Sequence, residues 1–515
     1  MANVSGPTIV NMLGEFKLSS LQGIGFLTLG LTLLAFLRLA IHAVYNLYFH
    51  PLRHIPGPPL WIAIDGFRQI YKARGMLEFK YKEFHDTYGE VVRVNANEVA
   101  FNRPEAWKDI YGHGHAEFPK HFPGLKLDTK QIVFANSKDH IRYRRAMMPA
   151  FSDKALRLQE PLICVYVDLL VKRLRETSAR GQAVNMVRWY NFTTFDLIAD
   201  LAYGTPLQGL AEGKSNAWLD NIGNIIRLMP IMALGSMFPL VGTVAKVLAG
   251  PQIRNAAKKH YDFASAMAMD RIYHRKQPDR GDFMDFMLRS RGEPHEMTDA
   301  ELASNADMLM LAGSETTASF LSGTTYWLLK TPRALRRATE EVRQAFASDA
   351  DITFDDARAK LPYMIACLQE GLRIFPPLPL GMLRIVPDGP PVQIAGVTIP
   401  AKTHVSVPQL AAFHSERNFH RPLEFLPERW LAESITNSSS PFYNDRREIH
   451  KPFGVGRRDC IGQNLAMHEM RVILAKVLWN FDMRLDETCN DWHNQKILAL
   501  WVKPPLLVHI HPRST

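Results

Sequence analysis

Cysteine is scarce in this chain: its 515 residues hold four, Cys164, Cys367, Cys460 and Cys489. Their wide spacing excludes a disulfide scaffold and a CxxC metal knuckle, and points to a reducing compartment for the soluble part. Concentrated positive charge is missing too. Lysine and arginine number 61 against 51 acidic residues, a net charge of +10, yet no five basic residues run together. So diffuse a bias suits an acidic partner protein or an anionic membrane face. Nucleic-acid readers gather their cations, so nucleic acid is not an expected partner. Low-complexity tracts and solenoid-period repeats are absent. With 47% hydrophobic and 22% charged residues, the chain buries a core, which excludes disordered and collagen-like classes.

Charge is also absent from one long stretch. Between Lys17 and Arg38 lie 20 uncharged residues, LSSLQGIGFLTLGLTLLAFL, a helix of about 30 Å at about 1.5 Å per residue, enough for one bilayer crossing. A cleaved signal has a shorter apolar core and a small-residue cleavage site. The expectation is an uncleaved anchor over residues 18–37 with residues 1–17 lumenal. Arg38 and Arg53 follow it while Glu15 balances Lys17 before it, so the bulk of the chain falls on the cytosolic side. Residues 38–59 read as a basic, proline-rich linker, in which Pro51, Pro56, Pro58 and Pro59 favour a stiff extended connector. No second linker occurs in 60–515, which reads as one large domain. Helical spacing runs through Ala155 to Glu176, Ala256 to Arg275, Met297 to Lys330 and Pro332 to Phe346. Strand-like pieces are short: Val91 to Val94, Val392 to Ile399 and Leu506 to Ile510. The fold class is mainly α with a small β portion.

The sharpest chemical signal is Phe453-Gly454-Val455-Gly456-Arg457-Arg458-Asp459-Cys460-Ile461-Gly462, ahead of a helix-like run from Gln463 to Trp479. A cysteine at a helix start, beside Arg457 and Arg458, is expected to favour the metal-ligating thiolate. Gly456 and Gly462 lack a Cβ, which lets a flat cofactor come close. A dinucleotide fingerprint is excluded, because Asp459 stands where its third glycine belongs. Farther back, Thr298 and Glu301 form a capping-box pattern opening a long helix. At its centre lies Ala312-Gly313-Ser314-Glu315-Thr316-Thr317, a polar patch with an acid between apolar turns, costly unless it serves something. Back-bonding to helix carbonyls accounts for the threonines but not for Glu315. Glu370 and Arg373 share a helix face at i, i+3. His113 and His115 have no carboxylate or cysteine at ligand spacing, and read as loop residues.

The Cys460 segment resembles the haem-binding signature of the cytochrome P450 monooxygenases, F-x-x-G-x-R-x-C-x-G, carried by Phe453, Gly456, Arg458, Cys460 and Gly462. Arg457 and Asp459 occupy variable positions of that signature. The resemblance implies the P450 fold, haem b as cofactor, Cys460 as axial ligand of the haem iron, Arg458 on a propionate and Phe453 beside the sulfur. It makes the helix centre an oxygen-activation motif, with Gly313 leaving room over the iron and Glu315 and Thr316 passing protons. Glu370 and Arg373, with Arg429 of Pro427-Glu428-Arg429-Trp430, become a buried structural network fixing the Cys460 loop. His140 and Arg144 fall where the family has W-x-x-x-R, histidine replacing tryptophan, and with Arg384 they are candidates for propionate contact.

O2 and NADPH are the implied co-substrates, with electrons entering through an NADPH-cytochrome reductase or a cytochrome b-type donor. The endoplasmic reticulum membrane is the implied location. Pocket-forming regions at Phe118 to Phe134, Leu228 to Val241 and Leu378 to Leu383 are apolar, including Phe118, Phe122, Leu125, Leu228, Leu380 and Met382, so a hydrophobic small molecule is expected. The segment IRLMPIMALGSMFPLVG, residues 226–242, is apolar enough to meet membrane lipid. The stretches around Pro427 and Cys460 look most like filamentous-fungal members that tailor terpenoid, polyketide or alkaloid scaffolds. Two alternatives stay open at this level: a haem-thiolate isomerase or dehydratase, whose members typically lack the acid-alcohol pair, and a membrane-tethered haem or lipid binder without turnover.

Overall fold

The chain enters the structure, a computed structural model, as an apolar helix, α1 (Leu21–Val44), that runs on through a π turn, Tyr45–Phe49. The residues described are 21–122, 128–215, 218, 235, 239–274 and 280–513. Residues 1–20, Leu125 and Leu228, the last two expected from the sequence to line a pocket, lie outside them. The apolar stretch Gly23–Phe49 spans 27 residues at a mean hydropathy of 2.1, and its most apolar window is 0% buried. That is one helix long and apolar enough to cross a membrane. It does not stop at Arg38, where the sequence places the anchor's end. The proline segment after it is not a free spacer either: Leu52 and Ile55 are buried in a core shared with Phe101, Trp107 and Val405, and the Arg93 N–H donates to Pro56 O at 2.8 Å. Arg93 also donates to Asn46 O at 2.8 Å, tying the end of the apolar stretch to the globule.

The other helices of ten or more residues are α2 (Leu77–Tyr88), α3 (Ser137–Met147), α4 (Asp153–Ser178), α5 (Met186–Tyr203), α6 (Pro239–Tyr273), α7 (Asp299–Lys330), α8 (Pro332–Ala345), α9 (Pro362–Ile374) and α10 (Gln463–Asn480). Capping chemistry fixes several of their ends. Thr298 and Glu301 form the capping box of α7, and Pro332 at the first turn of α8 forces the break after Lys330. The strands are short: β1 (Val91–Asn95), β2 (Glu98–Phe101), β3 (Val184–Asn185), β4 (Arg384–Ile385), β5 (Val392–Ile394), β6 (Val397–Ile399), β7 (His404–Ser406), β8 (Phe481–Leu485) and β9 (Leu507–Pro512). They build sheets ordered β1-β2-β7-β4, β3-β9-β8 and β5-β6. The stretch Val392 to Ile399 is thus a hairpin turning at Ala395 and Gly396, with φ of +47° and +78°.

The architecture is mainly helical, and α7 is its central element. Thr194 of α5 donates to Ser314 O at 3.0 Å, and Tyr190 meets Thr325 at 2.9 Å. Helix α10 runs beneath, burying Leu465, Val472 and Leu474 in the same core as Phe320 and Leu368.

Candidate active site

Cys460 sits two residues before the Gly462 N-cap of α10, in a loop held by its own N–H donating to Phe453 O at 2.8 Å. Two glycines shape that loop. Gly454 and Gly456 take φ of +72° and +83°, and a Cβ on Gly456 would stand 1.8 Å from Tyr111 O, so its bareness serves the approach of the Tyr111 backbone. At Gly462 a Cβ would meet only Phe151, at 3.8 Å. The Cys460 side chain is open to solvent, yet enough protein surrounds it that burial pushes its thiol up to about 11, with a hydrogen bond from the Gly462 backbone working the other way. The sequence expected the helix start, Arg457 and Arg458 to favour the thiolate. Arg458 instead spends its guanidinium on Glu117 and on Ala135 O, at 3.0 Å to the latter. A cation bound at the sulfur, rather than the loop's own charge, would draw off the proton.

Beside this loop lies a cluster with too many cations. Arg458, Arg384, Lys120 and His140 converge, and Glu117 is the acid among them. Burial, then Arg384 and Arg458, lower Lys120 to about 7. Burial followed by Arg458, Lys120, Arg144 and Arg384 lowers His140 to about 3, so it is neutral at pH 7. Lys120 Nζ donates to Val133 O at 2.6 Å, and the Arg384 guanidinium lies 5.1 Å from the Tyr111 ring centroid. Sequence reasoning missed Lys120, although it sits inside the segment from Phe118 to Phe134. Arg144 turns elsewhere: it donates to Asp459 O at 2.8 Å and to Asp459 Oδ1 at 2.6 Å, bracing the residue before Cys460.

Helix α7 opens one face at its middle. Met308 to Met310 and Thr317 to Thr325 are buried, but Ala312 is exposed and Thr316 half-buried. Residues at i and i+4 share a face, so the opening is lined by a methyl and a hydroxyl one turn apart. Gly313 points away from it: a Cβ there would meet Ile198 of α5 at 2.8 Å. The small residue on the open face is Ala312, and Gly313 serves close packing of two helices. Thr316 Oγ1 donates to Ala312 O at 2.5 Å. Glu315 pairs with Lys503, a partner no sequence signal indicated, which also donates to Ser319 Oγ at 2.5 Å. The same helix is locked to α3 at its start, where Arg142 grips Glu301 at 2.6 and 2.9 Å.

Glu370, Arg373 and Arg429 meet with 0% side-chain exposure. Arg373 donates to both Glu370 oxygens, at 2.7 and 2.9 Å, and to the carbonyls of Phe413, Pro422 and Glu424. Arg429 adds a bond to Glu370 at 3.1 Å and one to Asp445 at 2.6 Å, and Trp430 Nε1 donates to Glu370 at 2.8 Å. Burial by itself raises the Glu370 carboxyl, but Arg373 and Arg429 more than offset it and hold it at about 2.

A family model described as Cytochrome P450 matches residues 55–510. A trichothecene C-4 hydroxylase of Trichoderma arundinaceum is 47% identical over 474 residues, covering 92% of this chain and 95% of the relative. The cytochrome P450 monooxygenase olcB of Penicillium canescens is 44% identical, with 92% and 96% covered. The monooxygenase dtxS2 of Metarhizium robertsii is 43% identical, with 92% of each chain covered. The chain belongs to the cytochrome P450 family. It is a monooxygenase related to fungal enzymes of secondary metabolism, it takes haem ligated through a thiolate, and it uses O2, a redox partner and a small-molecule substrate.

The residues of this P450 fit that cofactor. The Cys460 side chain is open, the cluster around Arg458 has positive charge in excess for acidic side chains to meet, and α7 bares Ala312 between half-buried Leu311 and Gly313. Cys460 would hold the iron, and Arg458, Lys120 and Arg384 the acidic side chains. When bound, a thiolate-ligated haem supplies an iron centre that activates O2.

Proposed function

We propose that this P450 is a single-pass protein of the endoplasmic reticulum membrane whose cytosolic domain hydroxylates an apolar scaffold of fungal secondary metabolism. A trichothecene lacking oxygen at C-4 is the first substrate to try, because a hydroxylase of that position is 47% identical along 92% of the chain. The observation that carries the reading is that the fold leaves both Cys460 and one face at the middle of α7 open. In this reading Cys460 holds the iron, Ala312 leaves the substrate room, and Thr316 and Glu315 hold and hand on protons at Oγ1 and Oε1.

A second surface supports the electron supply. Next to the Cys460 loop, a cleft of about 510 Å³ is lined by His140, Arg144, Arg145, Met148 and Arg457. Exposed Arg145 and Arg457 around apolar Met148 and Ile141 suit an acidic partner such as an NADPH-cytochrome reductase, or a cytochrome b-type donor. The extent of the anchor, residues 18–37 in the sequence reading, is proposed here to reach at least Val44, where α1 ends.

The test uses full-length protein in membranes with reductase, NADPH and labelled O2. Reduced protein under carbon monoxide should show a strongly red-shifted Soret band that disappears in Cys460→Ala. The trichothecene should gain one labelled oxygen atom. A wild-type band at the histidine-ligated position overturns the ligand assignment, and a correct band without labelled product overturns the substrate. Recovery of the chain in the soluble fraction after alkaline carbonate overturns the anchor.

A further inference from the structure

The one acid at the centre of α7 takes its partner from 188 residues away. Lys503 lies between a tight turn and β9, in a segment fastened at several points. Trp501 Nε1 donates to Pro376 O at 2.7 Å and its ring stacks on Phe375 at 4.3 Å, while the Ile497 N–H donates to Gly75 O at 2.9 Å. The Lys503 side chain is 4% exposed. An ammonium buried that deeply is costly unless paired, and its acceptors are Glu315 Oε1 and Ser319 Oγ. Ser319 itself donates to Glu315 Oε1 at 3.5 Å.

That arrangement orients the acid. Lys503 and Ser319 draw the carboxylate towards the following turn of α7, while Thr316 closes its hydroxyl onto Ala312 O. Among the described residues Glu315 and Thr316 share no hydrogen bond, and Lys503 supplies the charge within hydrogen-bond reach of Glu315.

We propose that Lys503 is the positioning residue of the proton path: it keeps Glu315 paired and turned away from Thr316, and releases it for each proton handed on. The inference rests on the proposed role of Glu315 and Thr316. Electrons come from NADPH through the reductase. Without substrate, two electrons and two protons convert O2 to hydrogen peroxide, whereas four of each give two waters. Ordered delivery through the acid-alcohol pair favours water.

Peroxide formed per NADPH consumed, measured on the holoenzyme with reductase and no substrate between pH 6 and 8, therefore reads the path. Lys503→Met should raise that ratio at least threefold and make it pH-dependent, and Lys503→Arg should stay within twofold of wild type. Lys503→Met should also shift, in infrared difference spectra, the carboxylate stretch that Glu315→Gln removes. Wild-type peroxide and an unshifted stretch overturn the proposal, even if the variant melts earlier. Glu315→Gln separates the two layers. If it leaves peroxide unchanged, the role of Glu315 falls and the inference with it; if it raises peroxide while Lys503→Met does not, only Lys503 is misassigned. Should Lys503→Met accumulate no haem protein, Glu315→Asp keeps both charges and shortens the reach. A wild-type ratio in that variant overturns the proposal.

Discussion

Two buried clusters of charge are built on opposite terms. Around Glu370, two carboxylates meet two guanidiniums, Glu370 and Asp445 against Arg373 and Arg429, and Arg373 has all five N–H donors engaged. Around Arg458, the single carboxylate among the described residues, that of Glu117, faces Arg458, Arg384 and Lys120. The first cluster closes on itself and needs nothing from outside. The second leaves desolvated cations without counter-charge, an arrangement that costs stability unless an anionic group completes it. Charge balance thus separates a closed cluster from an open one without reference to any motif.

The balanced cluster should break most severely. Arg373→Ala leaves the Glu370 carboxylate with Arg429, Trp430 and the Leu426 N–H but removes its bidentate partner, at a cost of about 3–5 kcal/mol. The expected result is little or no haem protein by carbon monoxide difference spectroscopy. A variant with normal haem content would show that the network is not what holds the fold.

Acid should loosen the same cluster in two stages. His414 and His450 lie against it and are lowered to about 3, by burial first and by Arg373 second. A histidine ordinarily near 6.5 but neutral in the fold contributes stability that is present above 6.5 and lost as pH falls towards 3. Glu370 is ordinarily near 4.5 and held at about 2, so its contribution persists above 4.5 and is lost as pH falls towards 2. The urea midpoint should drop from pH 7.5 to pH 5 with Glu370 still ionised. His450→Phe, whose ring can keep the tilted and edge-on contacts with Trp430 and Phe413 at 4.7 and 4.9 Å, should flatten that early slope. An unchanged slope would remove His450 from the account.

Local chemistry made much of this readable in the sequence. The Thr298 cap, the Pro332 break and the helical spacing of Ala155 to Glu176 describe α7, α8 and α4 to within a few residues. What escaped reading is long-range. Strand β7 lies parallel to β2 some 300 residues earlier, and three-residue strands carry almost no periodic signal. Lys503 and Lys120 are ordinary lysines until the fold places one on Glu315 and the other in a β-bridge with Arg384. Gly313 was misread for a related reason: the motif says that the site is small, and only the packing of Ile198 says which way it faces.

The unbalanced cluster should respond with the opposite sign, and by less. In Lys120→Met the ammonium that burial, Arg384 and Arg458 lower to about 7 is replaced by an apolar chain of similar length. With no cofactor bound, repulsion and desolvation are both relieved, so the apoprotein should hold its urea midpoint or gain about 1 kcal/mol. With cofactor bound, a cation facing its acidic side chains is lost, and haem should pass to an excess of apomyoglobin about fivefold faster, the rate equivalent of about 1 kcal/mol. Removing one residue would therefore strengthen the empty protein and weaken the loaded one. No variant of the Glu370 network can do that, because its charges already answer one another. If Lys120→Met destabilises both forms alike, the cluster around Arg458 is scaffold too, and the distinction between the two regions fails.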